Sequence, residues 1–133
     1  MTQIVDRAAW PRRELFEFFS PMSQPFYSVT FKQDVARLYA FTKEHHLSFY
    51  HSLVYLCTRA VNQVEAFRYA LRGKDLVLFD RRNPSFTDRK PGSEQFHIVT
   101  LPMEEDIRAF CAAAKAKSAA QTTFLDQEDS LDL

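Results

Sequence analysis

Three of the four histidines lie close together, at His45, His46 and His51 in the segment KEHHLSFYH. Such a cluster of imidazoles could bind zinc or form a catalytic pair. Zinc needs three or four converging ligands, however, and no cysteine or carboxylate cluster stands at a suitable spacing here. Adjacent side chains of a helix also point in different directions. We therefore expect no metal site and interpret the cluster as a solvated helix end.

Other catalytic patterns are missing from the sequence. No serine lies in GxSxG, and two glycines in 133 residues nearly exclude a phosphate-binding glycine loop. His97 should point away from the face of Phe96 and Ile98 in the strand-like EQFHIV, so we expect an exposed or partly packed imidazole. Cys57 and Cys111 lie on predicted helices among apolar neighbours, which favours two reduced, buried thiols over a disulfide or a nucleophile.

The aromatic residues are the next candidates, since the chain contains 13 Phe and 5 Tyr. A group near the N-terminus could line a pocket for a planar apolar ligand, and it comprises Phe16, Phe18, Phe19, Phe26 and Tyr27. Aromatic residues at such spacings are more often core residues. The residues alone leave both interpretations open.

The charges balance, with 17 basic and 17 acidic residues, which removes the electrostatic argument for a nucleic-acid or acidic-membrane partner. No apolar stretch approaches the roughly 18 residues of a membrane span, and the N-terminus lacks the pattern of a signal peptide. We expect a soluble, cytoplasmic protein. A length of 133 residues favours a single domain over residues 1–133.

Hydrophobic periodicity and the positions of proline and glycine predict the helices and strands that must position these side chains. The predicted helices run from Pro11 to about Phe19, Val35 to His45, Ser48 to Gln63, and about 103 to 120. The predicted strands are PFYSVTFKQDV, a β-hairpin at roughly Phe67 to Arg81 with a glycine turn, Ser85 to Asp88, and Gln95 to Thr100. Residues 121–133 should form an irregular tail.

The helix from Ser48 should be largely buried because its apolar surface is broad. Its expected core stripe comprises Phe49, Leu53, Leu56, Ala60 and Val61, widened by Tyr50, Val54 and Cys57. Helices and strands together predict an α/β domain.

Several segments, in order from about Trp10 to Phe110, resemble the N-terminal part of the chloramphenicol acetyltransferase family. WPRRELFEFF resembles the family's opening Trp-x-Arg-x-x-x-Phe-x-x-Phe/Tyr segment, and FYHSLVYLCTRAVN resembles its Phe-Tyr-Pro helix ending in Asn. EAFRYAL, DLVLFD and NPSFT resemble its Glu-Phe-Arg, apolar-Trp-Asp and Pro-x-Tyr/Phe-Thr segments. Departures indicate a diverged member: His51 replaces a usual Pro, Phe79 replaces a frequent Trp, and DRKPGSEQF replaces Phe-His-x-x-Thr-x-x-Phe.

The resemblance implies a fold and an activity. The fold is an α+β two-layer sandwich, a partial CoA-dependent acyltransferase fold with a mixed, largely antiparallel sheet. Family members are trimeric enzymes in which a C-terminal histidine deprotonates a hydroxyl of an acceptor such as chloramphenicol. The hydroxyl then attacks acetyl-CoA, and a serine helps to hold the developing oxyanion. We expect a homotrimer or other self-association.

The family's catalytic His-His-x-x-x-Asp-Gly motif is missing from the sequence, and His45-His46 has no Asp-Gly after it. We therefore expect that the chain alone contains no catalytic residue and does not catalyse acetyl transfer. Most of the acetyl-CoA site would be missing as well. The alternatives are a non-catalytic module for ligand binding or oligomerisation, and one half of a split acetyltransferase.

The resemblance also assigns substrate-binding residues. Phe18 and Phe19 match aromatic residues on the acceptor side, Tyr27 matches an aromatic residue of the following strand, and Phe96 matches more weakly the Phe of the altered segment. Arg12 matches an arginine that supports the catalytic motif by pairing with its aspartate.

Overall fold

The computed structural model describes residues 2–90 and 92–126, and the chain forms two compact units. Unit 1 consists of Met1–Asp34 and Tyr69–Asp80, and unit 2 consists of Val35–Arg68 and Arg81–Leu133. The helices are α1 (Arg13–Phe19), α2 (Ala36–Glu44), α3 (Phe49–Gln63) and α4 (Ile107–Ala120), with a 3₁₀ turn at Glu65–Arg68. The strands are β1 (Thr2–Ile4), β2 (Tyr69–Arg72), β3 (Asp75–Phe79), β4 (Ser85–Arg89) and β5 (Phe96–Thr100).

Unit 1 contains a three-stranded antiparallel sheet in the order β1-β3-β2. The predicted hairpin is confirmed: Arg72 pairs with Asp75, and Gly73 begins the two-residue turn with a φ of 62° that a side chain would disfavour. Leu76 and Val77 in the central strand are buried. The sequence did not predict β1, because three residues are too few to show alternation.

The segment PFYSVTFKQDV does not form the predicted strand, and no described strand pairs with it. Its apolar side chains are exposed, with Tyr27 at 90% and Phe31 at 74%. Alternation predicts a strand only where a neighbouring strand can take up the backbone hydrogen bonds, and none of the described strands does so here. The segment leaves an apolar surface in unit 1.

Unit 2 is built from α3 and α4 with the antiparallel β4–β5 hairpin, in which Phe86 pairs with Val99. The predicted helices and strands of this unit are confirmed, and their ends differ from the prediction by at most four residues. Its hydrophobic core consists of Tyr55, Phe86, Val99, Leu101, Met103, Phe110 and Ala114. The expected combination of helices with a largely antiparallel arrangement of strands is confirmed, although the strands form two sheets.

The buried face of α3 differs from the predicted apolar stripe. The buried residues are His51, Ser52 and Tyr55, whereas the predicted stripe is half-buried or exposed. Tyr55 can face the core because its hydroxyl donates a hydrogen bond to the Glu105 carbonyl at 2.7 Å. Cys57 is exposed, so the prediction of a buried thiol is wrong there and right for Cys111.

A side chain caps the start of α4, and backbone contacts connect the segment after α4 to β5. Asp106 caps the N-terminus because its Oδ1 accepts from the backbone N–H of Arg108 at 2.8 Å and of Ala109 at 3.1 Å. Beyond α4, the N–H of Ile98 donates to the Phe124 carbonyl, and Leu125 forms a parallel bridge with Ile98. The described part of the predicted irregular tail therefore lies beside β5. Residues 127–133 lie outside the described residues.

Within residues 2–90 and 92–126, no helix is long and apolar enough to cross a membrane.

Replacement of Asp106 by Ala should lower the free energy of unfolding by about 1 kcal/mol, because two backbone N–H groups at the start of α4 lose their acceptor. The measurement is the urea midpoint of wild type and variant. Glu104→Ala is the matched control, since this exposed acidic side chain precedes the cap. An equal effect of the two substitutions would contradict the capping role.

Candidate functional site

An aromatic pocket with a volume of about 420 Å³ lies within unit 1. It is formed by α1, the residues just before α1, and the loop that follows the helix. The lining residues are Trp10, Arg12, Leu15, Phe16, Phe19, Met22, Gln24, Pro25, Phe26 and Tyr27. Such a volume and lining suit a small ligand with an aromatic ring.

Ring contacts hold one wall of this pocket in place. Trp10 lies 5.8 Å from Phe16 and 5.1 Å from Tyr69 of β2, measured between ring centroids. The Arg7 guanidinium stacks over Phe16 at 5.0 Å from its centroid. The carbonyl of Trp10 accepts a hydrogen bond from the N–H of Arg13, the first residue of α1. These contacts fix Trp10 and Phe16 relative to the helix.

Other lining residues are much more exposed. Phe26 is 75% exposed and Tyr27 is 90% exposed, although both belong to the lining. Phe19, at the last turn of α1, is 47% exposed. A ligand that covered these rings would remove a large apolar area from water. Burial of apolar surface contributes a favourable free energy of about 25 cal/mol per Å².

The polar groups of the pocket are few. Arg12 is exposed and precedes α1, and Gln24 contributes an amide. No lining residue carries an imidazole, a carboxylate, a thiol or an amine. The pocket can therefore bind an aromatic alcohol, but none of its side chains is suited to take the hydroxyl proton at neutral pH.

The structure brings together three of the five residues that the sequence singled out: Arg12, Phe19 and Tyr27 all line the pocket. Phe18 is not in the lining, and its ring contacts that of Phe19 at 5.0 Å. Phe96 belongs to unit 2, where its ring lies 5.7 Å from Phe124.

Sequence reasoning did not assign Trp10, Leu15, Met22, Gln24 or Pro25 to the pocket. The one usable signal was the pair of prolines that interrupts the chain after α1, since such loops often carry binding residues.

A second constellation of polar residues lies in unit 2, where His51, His97 and Ser118 are buried and Asp88 is partly exposed. His51 of α3 hydrogen-bonds through Nε2 to Oδ2 of Asp88 in β4 at 3.0 Å. His97 in β5, the cross-strand partner of Asp88, hydrogen-bonds through Nε2 to the hydroxyl of Ser118 in α4 at 3.0 Å. Ser118 also hydrogen-bonds to Asp88. We call these four residues the polar network.

The expectations for two of its histidines are wrong. His97 is 1% exposed and His51 is 7% exposed, so neither imidazole is solvated. A hydrogen bond at Nε2 offsets part of the cost of burying each ring, whereas Nδ1 of each is buried without a hydrogen-bond partner among the described residues. Hydrophobic patterning does not reveal such contacts. Only His46 of the original cluster is exposed.

The hydrogen-bond donors in the polar network can be assigned by counting protons. An ionised Asp88 can only accept, so Nε2–H of His51 and the hydroxyl of Ser118 both donate to it. Ser118 has then used its only proton, and His97 must donate Nε2–H to the serine oxygen. Both imidazoles therefore carry a proton on Nε2.

The environment of Asp88 sets its protonation. Burial alone would raise the pKa of Asp88, but hydrogen bonds from His51, Ser118 and the Arg89 backbone N–H outweigh burial and hold this pKa below its ordinary value. Asp88 is therefore ionised at neutral pH.

Cys111 shows no sign of nucleophilic activation. Burial raises the pKa of its thiol, although a hydrogen bond with Ser52 at 3.4 Å acts in the opposite direction. Among the described residues, no group of three or more His, Cys, Asp or Glu side chains could hold a metal ion.

Comparisons with known proteins agree on one family. The family model described as chloramphenicol acetyltransferase matches residues 1–129. The chain is 32% identical to chloramphenicol acetyltransferase 2 of Escherichia coli over 115 residues, covering 86% of this chain and 54% of that protein. It is 33% identical to chloramphenicol acetyltransferase 3 of Escherichia coli over 101 residues, covering 76% of this chain and 47% of the relative.

A solved chloramphenicol acetyltransferase structure matches with a TM-score of 0.85 at 26% identity, and the match covers 95% of this chain and 59% of that one. The expected resemblance in fold is thus confirmed. The chain spans about half the length of the curated relatives it matches.

Replacement of Asp88 by Asn should destabilise the protein at neutral pH, by on the order of 1 kcal/mol, because charge-assisted hydrogen bonds in the polar network are lost. The folded-state pKa of Asp88 is depressed, so its contribution to stability is present above the unfolded-state pKa of about 4 and is lost as pH falls through the folded-state pKa. Urea midpoints measured across this range should show wild type and Asp88→Asn converging in acid.

Glu44→Gln is the control for this comparison, because the side chain is exposed at the end of α2. A difference between wild type and Asp88→Asn that persisted unchanged into acid would contradict the assigned network.

Proposed function

The chain belongs to the chloramphenicol acetyltransferase family, and we propose that it supplies the acceptor-binding part of an acetyl-CoA-dependent O-acetyltransferase. In the proposed reaction, an acetyl group passes from acetyl-CoA to a hydroxyl of an aromatic acceptor such as chloramphenicol. The observation that carries this proposal is the aromatic pocket of unit 1, whose lining includes Phe19 and Tyr27.

The pocket supports recognition of the acceptor through its ring. Phe19 and Tyr27 present exposed aromatic faces, while Trp10 and Phe16 are fixed by contacts with one another. An aromatic ligand can stack or form edge contacts with such rings, each worth about 1 kcal/mol beyond the area that it buries. Phe18 and Phe96 remain predicted acceptor-side residues.

The chemistry of the lining supports binding without turnover. Transfer to a hydroxyl needs a base, and the described side chains around the pocket supply none. His51 and His97 are committed to the polar network of unit 2. The 133-residue sequence also contains no His-His-x-x-x-Asp-Gly. We therefore propose that this chain binds the acceptor and that a second polypeptide segment must supply the base and most of the acetyl-CoA site.

The exposed segment PFYSVTFKQDV favours a second candidate function. In this function the chain is one half of an enzyme and assembles with another chain. Phe26, Val29 and Phe31 are 75%, 68% and 74% exposed, and no described strand pairs with the segment that contains them. An exposed apolar segment that pairs with no described strand is suited to β-sheet pairing with another chain. The proposed partner carries the catalytic motif, and a homotrimer of such assemblies remains part of the proposal.

Chloramphenicol should bind the purified 133-residue chain, and Phe19→Ala should weaken binding about tenfold because one aromatic wall of the pocket is removed. Isothermal titration calorimetry gives both dissociation constants. Phe67→Ala is the control, since it removes an exposed phenyl ring of unit 2 that lies outside the lining. Absence of binding by the wild-type chain would refute the proposed function.

Acetylation of chloramphenicol should require a complementing segment. The purified chain alone should release no thiol from acetyl-CoA, whereas co-expression with the C-terminal half of Escherichia coli chloramphenicol acetyltransferase 3 should restore release, because that half brings the missing base. Val29→Lys should reduce the restored activity, since it places a charge in the exposed apolar segment. Lys32→Gln is the control. Turnover by the chain alone would contradict the half-enzyme proposal.

A further inference from the structure

Helix α3 is apolar on the side that unit 2 leaves exposed. Its buried side carries His51, Ser52 and Tyr55. The opposite side of the helix, which we call the outer face, consists of Leu53, Leu56, Cys57, Ala60 and Val61. Leu56 is 37% exposed, Cys57 and Ala60 are exposed, and the other two side chains are half-buried.

The outer face carries no charge. Arg59 is the only Lys, Arg, Asp or Glu of α3, and it lies outside the outer face. By contrast, the exposed positions of α4 include Arg108 and Lys115. A helix side that faces water normally carries polar or charged residues. An uncharged apolar side therefore indicates a surface that packs against protein.

A groove of about 530 Å³ adjoins the outer face within unit 2. The lining residues that it shares with the outer face are Leu53, Cys57 and Val61. Phe67, which is 61% exposed, and residues 82–86 also line it. The groove is large enough to receive an apolar side chain of a second polypeptide.

Two hydrogen bonds hold this groove in shape. Nδ2 of Asn62, near the end of α3, donates to the Arg82 carbonyl at 3.0 Å. The backbone N–H of Arg82 donates in return to Oδ1 of Asn62 at 2.6 Å. Segment 82–86 is thus fixed against α3 without a partner, and a preformed groove binds at a lower entropic cost.

We infer that the outer face and the groove dock the catalytic half of the enzyme, the part of a chloramphenicol acetyltransferase chain that has no counterpart here. The docked half covers α3 with apolar side chains and inserts one of them into the groove. This inference rests on the proposed function, and it gives the partner a contact in unit 2 that is separate from the segment PFYSVTFKQDV.

The comparison with the solved relative supports this occupant. The match covers 95% of this chain but 59% of that chain, so the rest of the relative corresponds to no part of this chain. The fraction of surface that a chain buries rises with its length. Apolar surface that a full-length relative can cover therefore stays exposed in a chain of about half the length.

Cys57 offers a direct measurement, because its exposed thiol belongs to both the outer face and the groove, whereas Cys111 is buried. The chain is purified alone and after co-expression with the C-terminal half of Escherichia coli chloramphenicol acetyltransferase 3. Maleimide labelling of the peptide that contains Cys57 is then followed by mass spectrometry. Labelling should be about tenfold slower in the complex, because the thiol reacts only when the complex opens.

Ala60→Glu should lower the amount of co-purified partner about tenfold, since it places a carboxylate in the middle of the outer face. Ala112→Glu is the matched control, because it makes the same substitution at an exposed position of α4. Urea midpoints of the isolated variants should match that of the wild-type chain, since both positions are exposed. Labelling of Cys57 needs no substitution, so it decides the inference even if a variant fails to fold.

The outcomes separate the inference from the proposed function. Restored thiol release with Cys57 labelled as fast as in the free chain, and with equal co-purification of wild type and Ala60→Glu, would overturn the inference alone. Failure of any complex to form, with chloramphenicol still bound, would overturn both the inference and the half-enzyme proposal but not acceptor binding. Protection of Cys57 in the concentrated chain alone, reversed by Ala60→Glu, would assign the outer face to a second copy of this chain and overturn the inference.

Discussion

The packing of Phe110 in the core of unit 2 is the contact on which that unit most depends. Phe110, Val99 and Ala114 are all 0% exposed, and they join α4 to the β4–β5 hairpin and to Tyr55 of α3. Truncation of a buried Phe typically costs about 3–5 kcal/mol, which is a large part of the stability of a small domain. The same exclusion of water strengthens the hydrogen bonds of the polar network and raises the cost of leaving any of its members without a partner.

Unit 1 follows a different balance between burial and exposure. Its sheet buries Leu76 and Val77, but the rings after α1 remain largely in contact with water. Apolar surface of this kind has a free-energy cost that a stable isolated domain usually avoids, and extended exposed patches commonly mark binding surfaces. The aromatic pocket and the unpaired segment that follows it are thus two parts of one feature, a surface whose burial requires something outside unit 1.

Sequence reasoning succeeded where a pattern depends on neighbours along the chain. Helical periodicity located the four helices, and Gly73 located the hairpin turn. It failed where the outcome depends on partners distant in sequence. The segment around Tyr27 alternates like a strand but pairs with no described strand, and the buried His51 and His97 each have one hydrogen-bond partner, at Nε2, on another element of the fold. Three residues that the family resemblance singled out, Phe19, Tyr27 and Arg12, line the pocket. Trp10 also lines it, through ring contacts that no local pattern encodes.

The single tryptophan gives the two units separate spectroscopic signatures. Trp10 lies in unit 1, whereas α2, α3 and α4 all belong to unit 2. Intrinsic fluorescence therefore reports mainly on unit 1, and far-ultraviolet circular dichroism, dominated by helices, reports mainly on unit 2. Coincident thermal transitions in the two signals would identify one cooperative folding unit, and separate transitions would identify two. A ligand that stabilises only the aromatic pocket would then shift the fluorescence transition first.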